Sequence, residues 1–182
     1  MAEEFLDIID ENNNLTGESA PRSQIHAEGI WHRTVHIFVF RKKDEQVEFL
    51  IHLRSHHKDQ NPNKWATSFG GHIKAGSDVE EGVKSELQEE IGLDVDFKKL
   101  IGGYWRKRDK ITNREFTKTY YLGYDGRLED LIFNDGEVQE VGWMSFRDIK
   151  DSMRKNPERW AGKGTSFEKI YDYLFKKINK IL

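Results

Sequence analysis

Residues 70–93 constrain this chain more than any other stretch. A glycine pair, Gly70 and Gly71, leads through a short loop into a segment whose apolar and acidic residues keep to fixed sides. Val79, Val83, Leu87 and Ile91 recur every four residues and form one stripe of a helix. Ser77 with Glu80 reads as the capping box at its start, Asp78 adds favourable charge to the first turn, and Gly92 closes it. At about 100° per residue, Glu86, Glu89 and Glu90 fall within roughly one third of the circumference, beside the stripe. Gly82 lies on the same side one turn earlier. Three carboxylates so placed repel one another by a few tenths of a kcal/mol per pair, so a compensating cation is expected. A solvated acidic face is the plainer alternative, but scattered lysines would serve it better. Acids gathered on one side, directly after glycines, suit a hard divalent cation such as Mg²⁺ in company with phosphate oxygens.

The rest of the chain supplies strands and helices to surround this unit. Phe5–Ile9 reads as a strand, and Asp10 to Asn14 as the turn after it. Pro21 opens a short helix closed near Gly29. Residues 34–41, rich in Val, Ile and Phe, read as a strand buried on both faces, with residues 47–54 as its hairpin partner. Residues 100–108 and 116–124 form a further pair, and residues 137–144 another strand. Ser145 with Asp148, and Thr165 with Glu168, read as caps of two closing helices. The last carries Phe167, Ile170, Tyr171, Leu174, Ile178 and Ile181 at helical spacing as core, with Lys176, Lys177 and Lys180 as a solvated face. Strands and helices interleave, so the fold class is α/β or α+β with a mixed sheet. No internal repeat or linker appears, and residues 1–182 are read as a single domain.

Composition narrows the function classes. The net charge of −3 gives no footprint for bulk nucleic-acid binding. No apolar run is long enough to span a bilayer, and the first ten residues lack a signal peptide's basic and apolar regions, so the expected location is cytoplasmic. Cysteine is absent, which removes disulfides, thiolate metal sites and cysteine nucleophiles together.

The stretch from Gly71 to Leu93 resembles the Nudix box, in which Gly, five residues, Glu and seven residues precede Arg-Glu-U-x-Glu-Glu-x-Gly-U, U being a bulky aliphatic. Gly71, Glu86, Leu87, Glu89, Glu90, Gly92 and Leu93 fall in register; Ser77 stands for the first Glu and Ser85 for the Arg. In the family those two side chains commonly pair, so losing both is nearly balanced where losing one would strand a charge. The resemblance implies a Nudix-type α/β/α sandwich with a catalytic loop-helix-loop, and a hydrolase that cleaves a diphosphate linkage in a nucleoside diphosphate-type or related metabolite. It assigns Glu86, Glu89 and Glu90 to Mg²⁺ or Mn²⁺, with Glu90 and Glu137 as candidates for the general base.

Residues 5–150 further resemble the isopentenyl-diphosphate-isomerase-like branch of that family, through Asp7-Ile8-Ile9-Asp10-Glu11, Trp31-His32-Arg33, Leu53-Arg54-Ser55 and Trp65-Ala66-Thr67-Ser68. In the isomerase an active-site cysteine takes part in moving protons on carbon; the matching position is Gly70, which weighs against isomerisation. The isomerase also holds a metal with histidines and glutamates, matched here by His26, His32, His72 and Glu137, with Asp135 in place of a Glu. That donor set suits Zn²⁺, Mn²⁺ or a similar ion. Arg54 and Lys64 are expected to meet the diphosphate beside Gly71, and Phe69, Trp105 and Arg106 to offer stacking surfaces. The partner implied is a small-molecule diphosphate, with no nucleic acid and no membrane, and a homodimer left open. The alternatives are a non-catalytic sensor of a diphosphate metabolite, which Ser77 and Ser85 favour and the three acids oppose, and the isomerase.

Overall fold

Strand β1 (Phe5–Ile9) pairs antiparallel with β2 (Leu15–Pro21), and the chain turns at Pro21 into α1 (Arg22–Glu28), which Gly29 closes in the left-handed conformation. The structure, a computed structural model, describes residues 3–179 apart from Lys58, Asp59, Thr112, Asn134, Asp135 and Glu137. The sequence reading leaves residues 15–21 without an element. Five of the seven residues of β2 are exposed, so no apolar alternation marks the strand, and only backbone pairing to β1 makes it one.

The main sheet follows. β3 (His32–Lys43) turns into its hairpin partner β4 (Gln46–Arg54), as the sequence implies. The two-residue strand β5 (Trp65–Ala66) returns along the end of β4. After α2 (Val79–Ile91) come β6 (Ile101–Lys110) and β7 (Asn113–Gly123), an antiparallel pair, then β8 (Val138–Ser145), α3 (Phe146–Lys155) and α4 (Gly164–Ile178). The strand order is β5-β4-β3-β7-β6, with β8 also on β4 and β3 parallel to β7. The sheet is therefore mixed, as expected.

Alternation along β3 assigns the layers. Val35, Ile37 and Val39 pack with Val83, Leu87 and Ile91 of α2 on one side. Phe38 and Phe40 pack with Phe49, Ile51 and Tyr121, and with Ile149, Phe167, Ile170 and Leu174 of the closing helices, on the other. Each such side chain contributes about 1.5–3 kcal/mol on burial. Tyr121 also ties α4 to the sheet, its hydroxyl donating to the Ile170 carbonyl at 3.0 Å. The result is a helix–sheet–helix sandwich.

Two helix starts differ from expectation. α2 is capped by Asp78: its side chain accepts from Glu81 N at 2.8 Å, and the Glu81 carboxylate accepts from Asp78 N at 2.9 Å. Ser77 instead closes a turn, its N–H donating to the Lys74 carbonyl at 3.0 Å. A carboxylate answers the positive helix end better than a hydroxyl does. α4 begins at Gly164 with no side-chain cap, so Thr165 is inside the helix. Packing of Phe167 and Ile170 sets where that helix starts. Ser145 caps α3 through Asp148 N as expected; Lys180 and Ile181 lie outside the described residues.

Candidate active site

On the face of β3 that carries Phe38, the three preceding inward positions are His32, Thr34 and His36. Across the parallel ladder they face Glu115, Thr117 and Thr119 of β7. His32, Thr34, Glu115, Thr117 and Thr119 are all buried. This is a polar floor where the pattern would otherwise call for core. It opens into a cleft of about 1310 Å³ that Glu86, Glu89, Glu90, Gly71, His72 and Arg54 also line.

The glycine loop is laced to β3. Phe69 and Ile37 exchange backbone hydrogen bonds of 2.7 and 2.9 Å, and Val35 N donates to the Gly71 carbonyl at 2.9 Å. Gly70 has φ 142°, and an added Cβ would overlap the Val35 carbonyl; only glycine fits there. At Gly71 the limit is a side chain: an added Cβ would stand 2.7 Å from Glu86 Oε1. Gly82 lets α2 approach Ile73, the nearest atom to an added Cβ being Ile73 Cγ1 at 3.1 Å.

The three acids differ in setting. Glu90 is 4% exposed, and its Oε2 accepts from Gly70 N at 2.9 Å. The loop thus holds the carboxylate as the helix presents it. Glu89 is exposed, its Oε1 accepting from Ser85 Oγ at 2.6 Å and Lys74 Nζ at 2.9 Å. Partial burial pushes the Glu89 carboxyl up, but the hydrogen bonds from Ser85 and Lys74 outweigh it and hold the pKa below the usual value. Ser85 therefore steadies Glu89 directly, and Lys74 is a cation on the acid face that the sequence reading does not foresee.

His26, His32 and His72 converge, one ring nitrogen from each lying within 4.8 Å of the others. His26 Nε2 and His72 Nε2 are 3.2 Å apart. His32 Nδ1 lies 3.0 Å from the Ile30 carbonyl, which as an acceptor requires the proton there and leaves a lone pair on Nε2. That Nε2 is buried without a hydrogen-bond partner. Burial above all pushes His32 down to about 4, so the ring is neutral. Glu4 Oε2 stands 3.6 Å from His72 Nδ1. Burial pushes the Glu4 carboxyl up, but its interactions with His72, Arg22 and Lys74 bring it net below its ordinary value.

Of the other residues singled out, Arg54 lines the cleft and Lys64 does not. Arg54 donates to the Gln60 carbonyl at 3.0 and 3.3 Å, pinning the loop after β4. Phe69 is fully buried and stacks on His52, so it offers no surface for a ligand. Trp105 is flanked by the cations of Arg33 and Lys118. Glu137 and Asp135 lie outside the described residues. The carboxylate that stands opposite His32 in the ladder is Glu115, paired with Arg108 at 3.1 Å. Sequence reasoning passes over Glu4, His36 and Glu115; polar alternation at 32-34-36 and 115-117-119 is the signal that could have found the last two.

The chain matches the family model for the NUDIX domain over residues 30–163. It is 35% identical, over 142 residues, to an uncharacterized Nudix hydrolase of Clostridium acetobutylicum, covering 76% of this chain and 68% of that one. It is 24% identical over 161 residues to the isopentenyl-diphosphate Delta-isomerase 2 of Aromatoleum aromaticum, covering 87% of this chain and 82% of the isomerase. Among solved structures, DR0079 from Deinococcus radiodurans superposes with a TM-score of 0.68 at 23% identity, covering 93% of this chain and 99% of that one. No helix among the described residues is long and apolar enough to cross a membrane.

Proposed function

Since the chain belongs to the Nudix family, we propose that it is a metal-dependent hydrolase that cleaves a diphosphate linkage in a nucleoside diphosphate-type or related small metabolite. The observation that carries this reading is the buried Glu90 carboxylate, held by Gly70 N–H on the same helix turns that present Glu86 and Glu89 to the cleft. Three carboxylates form a hard oxygen donor set that fits Mg²⁺ or Mn²⁺. Such an ion, when bound, neutralises phosphate oxygens and acidifies water. Glu90 accepts the proton of the attacking water in this reading, its orientation fixed by the Gly70 amide; Glu137 is the other candidate. Gly71 leaves room beside Glu86 for a phosphate oxygen, and Arg54 supplies positive charge on the same cleft.

A panel of nucleoside diphosphates, nucleoside diphosphate sugars, dinucleoside phosphates and isoprenoid diphosphates, with Mg²⁺ and with Mn²⁺, tests the assignment through coupled phosphate release. Turnover is expected for at least one class and is lost in EDTA. Binding without turnover across the panel would favour a sensor.

His26, His32 and His72 hold a second ion in this reading, of the Zn²⁺ or Mn²⁺ kind. The fit is chemical: a neutral buried imidazole with its lone pair unpartnered and its other nitrogen fixed by a carbonyl is the usual state of a ligating histidine. Metal analysis of purified protein is expected to give about one tightly held transition-metal equivalent, reduced roughly tenfold or more in His32→Ala. Equal metal content in the variant would remove the site.

A further inference from the structure

One pair on the floor of the cleft belongs to neither the acids nor the three histidines. Arg106 lies opposite Thr117, and His36 opposite Thr119, so both rise from the same face of the sheet. Arg106 reaches across β7, and its Nη2 meets His36 Nδ1 at 2.8 Å. A guanidinium only donates, so Nδ1 accepts and the neutral ring carries its proton on Nε2. Burial first, then the charges of Arg106, Arg108 and Arg54, push His36 down to about 3. The ring therefore stays an acceptor for Arg106 across the ordinary pH range.

The charge of Arg106 has no ion-pair partner among the described residues. Its Nε is buried with no hydrogen-bond partner. No salt bridge among the described residues reaches it: Glu115, the carboxylate whose field acts on Arg106, is paired with Arg108 at 3.1 Å. A neutral histidine orients a guanidinium without compensating it. Leaving a largely buried cation unpaired is costly, and the cleft that both side chains line is open to a ligand. The group that would offset it is an oxyanion, whose geometry a guanidinium fork matches.

We propose that Arg106, positioned by His36, forms an oxyanion site that takes a phosphate of the substrate, two strands away from the glycine loop that carries Gly70. The phosphate identity rests on the hydrolase reading above, while the anion site itself does not require hydrolysis. Arg106 binds; His36 is a positioning residue.

Calorimetric titration with inorganic pyrophosphate in EDTA tests it on the intact chain. Wild type is expected to bind, and Arg106→Ala to bind roughly tenfold or more weakly, the order that one charge-assisted hydrogen bond supplies. Arg106→Lys keeps the stem and charge and should fall between them, which guards against a folding defect in the alanine variant. His36→Asn still offers an acceptor to Arg106 and should stay within about threefold of wild type, where His36→Phe should not. Glu89→Gln should lose turnover yet keep pyrophosphate affinity. No binding by wild type, or unchanged binding by a folded Arg106→Ala, overturns the site even if the enzyme hydrolyses diphosphates. Loss of binding in Arg106→Ala from a protein that hydrolyses nothing would leave the anion site standing and remove the hydrolase.

Discussion

Glu90→Gln is expected to lower turnover by about two orders of magnitude or more, near 2.7 kcal/mol in the barrier, with the fold intact. The amide of glutamine keeps an oxygen that can accept from Gly70 N–H, so the link between loop and helix survives. What disappears is the negative charge, both as a ligand for a divalent cation and as a proton acceptor. A buried neutral amide is easier to accommodate than a buried carboxylate, but the attraction between Glu90 and Arg54 is lost with the charge, so thermal stability without metal should change little. Steady-state kinetics beside a thermal melt give both readouts. Activity within a few-fold of wild type would take Glu90 out of the mechanism; a collapsed melt would show that its charge holds the loop.

The second large effect falls on Gly70. Gly70→Cys places a thiol where the isomerase branch carries one, yet it is expected to give no isomerisation and a damaged protein. The backbone there has φ 142°, and an added Cβ would overlap the Val35 carbonyl, with the Val35 carbonyl carbon at 2.9 Å. Relief by sliding the loop is blocked, because the neighbouring residues Phe69 and Gly71 are both hydrogen-bonded to β3. A left-handed or strained φ alone costs about 1–3 kcal/mol, and the overlap adds to it. We expect a loss of about 3 kcal/mol or more, a fall in Tm of roughly 6–12 °C for a chain of this size. Turnover should fall with it, since the Gly70 amide orients Glu90. Incubation of wild type and variant with isopentenyl diphosphate and metal should yield no dimethylallyl isomer from either. Conversion by wild type would defeat the exclusion drawn from the missing thiol, and a variant as stable as wild type would mean the loop sits elsewhere.

Much of the acid face was legible in the sequence because it is a local object. Three carboxylates on one side of a helix, an apolar stripe every four residues and a closing glycine depend only on helical geometry. The hairpin of β3 and β4, the β6–β7 pair and the Gly29 and Gly92 closures are local in the same sense. Where two caps competed within one residue, the sequence reading took the wrong one: Ser77 and Asp78 both carry a capping oxygen, and with Ser77 N–H turned back to the Lys74 carbonyl it is Asp78 that caps α2.

Tertiary structure decided everything that needs two distant strands side by side. The sequence marked residues 34–41 as buried on both faces but not that one inward row is polar. That follows from the parallel register setting His32, Thr34 and His36 beside Glu115, Thr117 and Thr119. β2 exists only because β1 runs alongside it, and Lys74 meets Glu89 only because the loop folds back over α2. Arg106 reads in the sequence as a stacking surface only; its meeting with His36 at 2.8 Å comes from the sheet. Residue type and spacing set what a helix displays on its own surface. Strand register and loop packing, which no local period encodes, set which charges meet across the cleft.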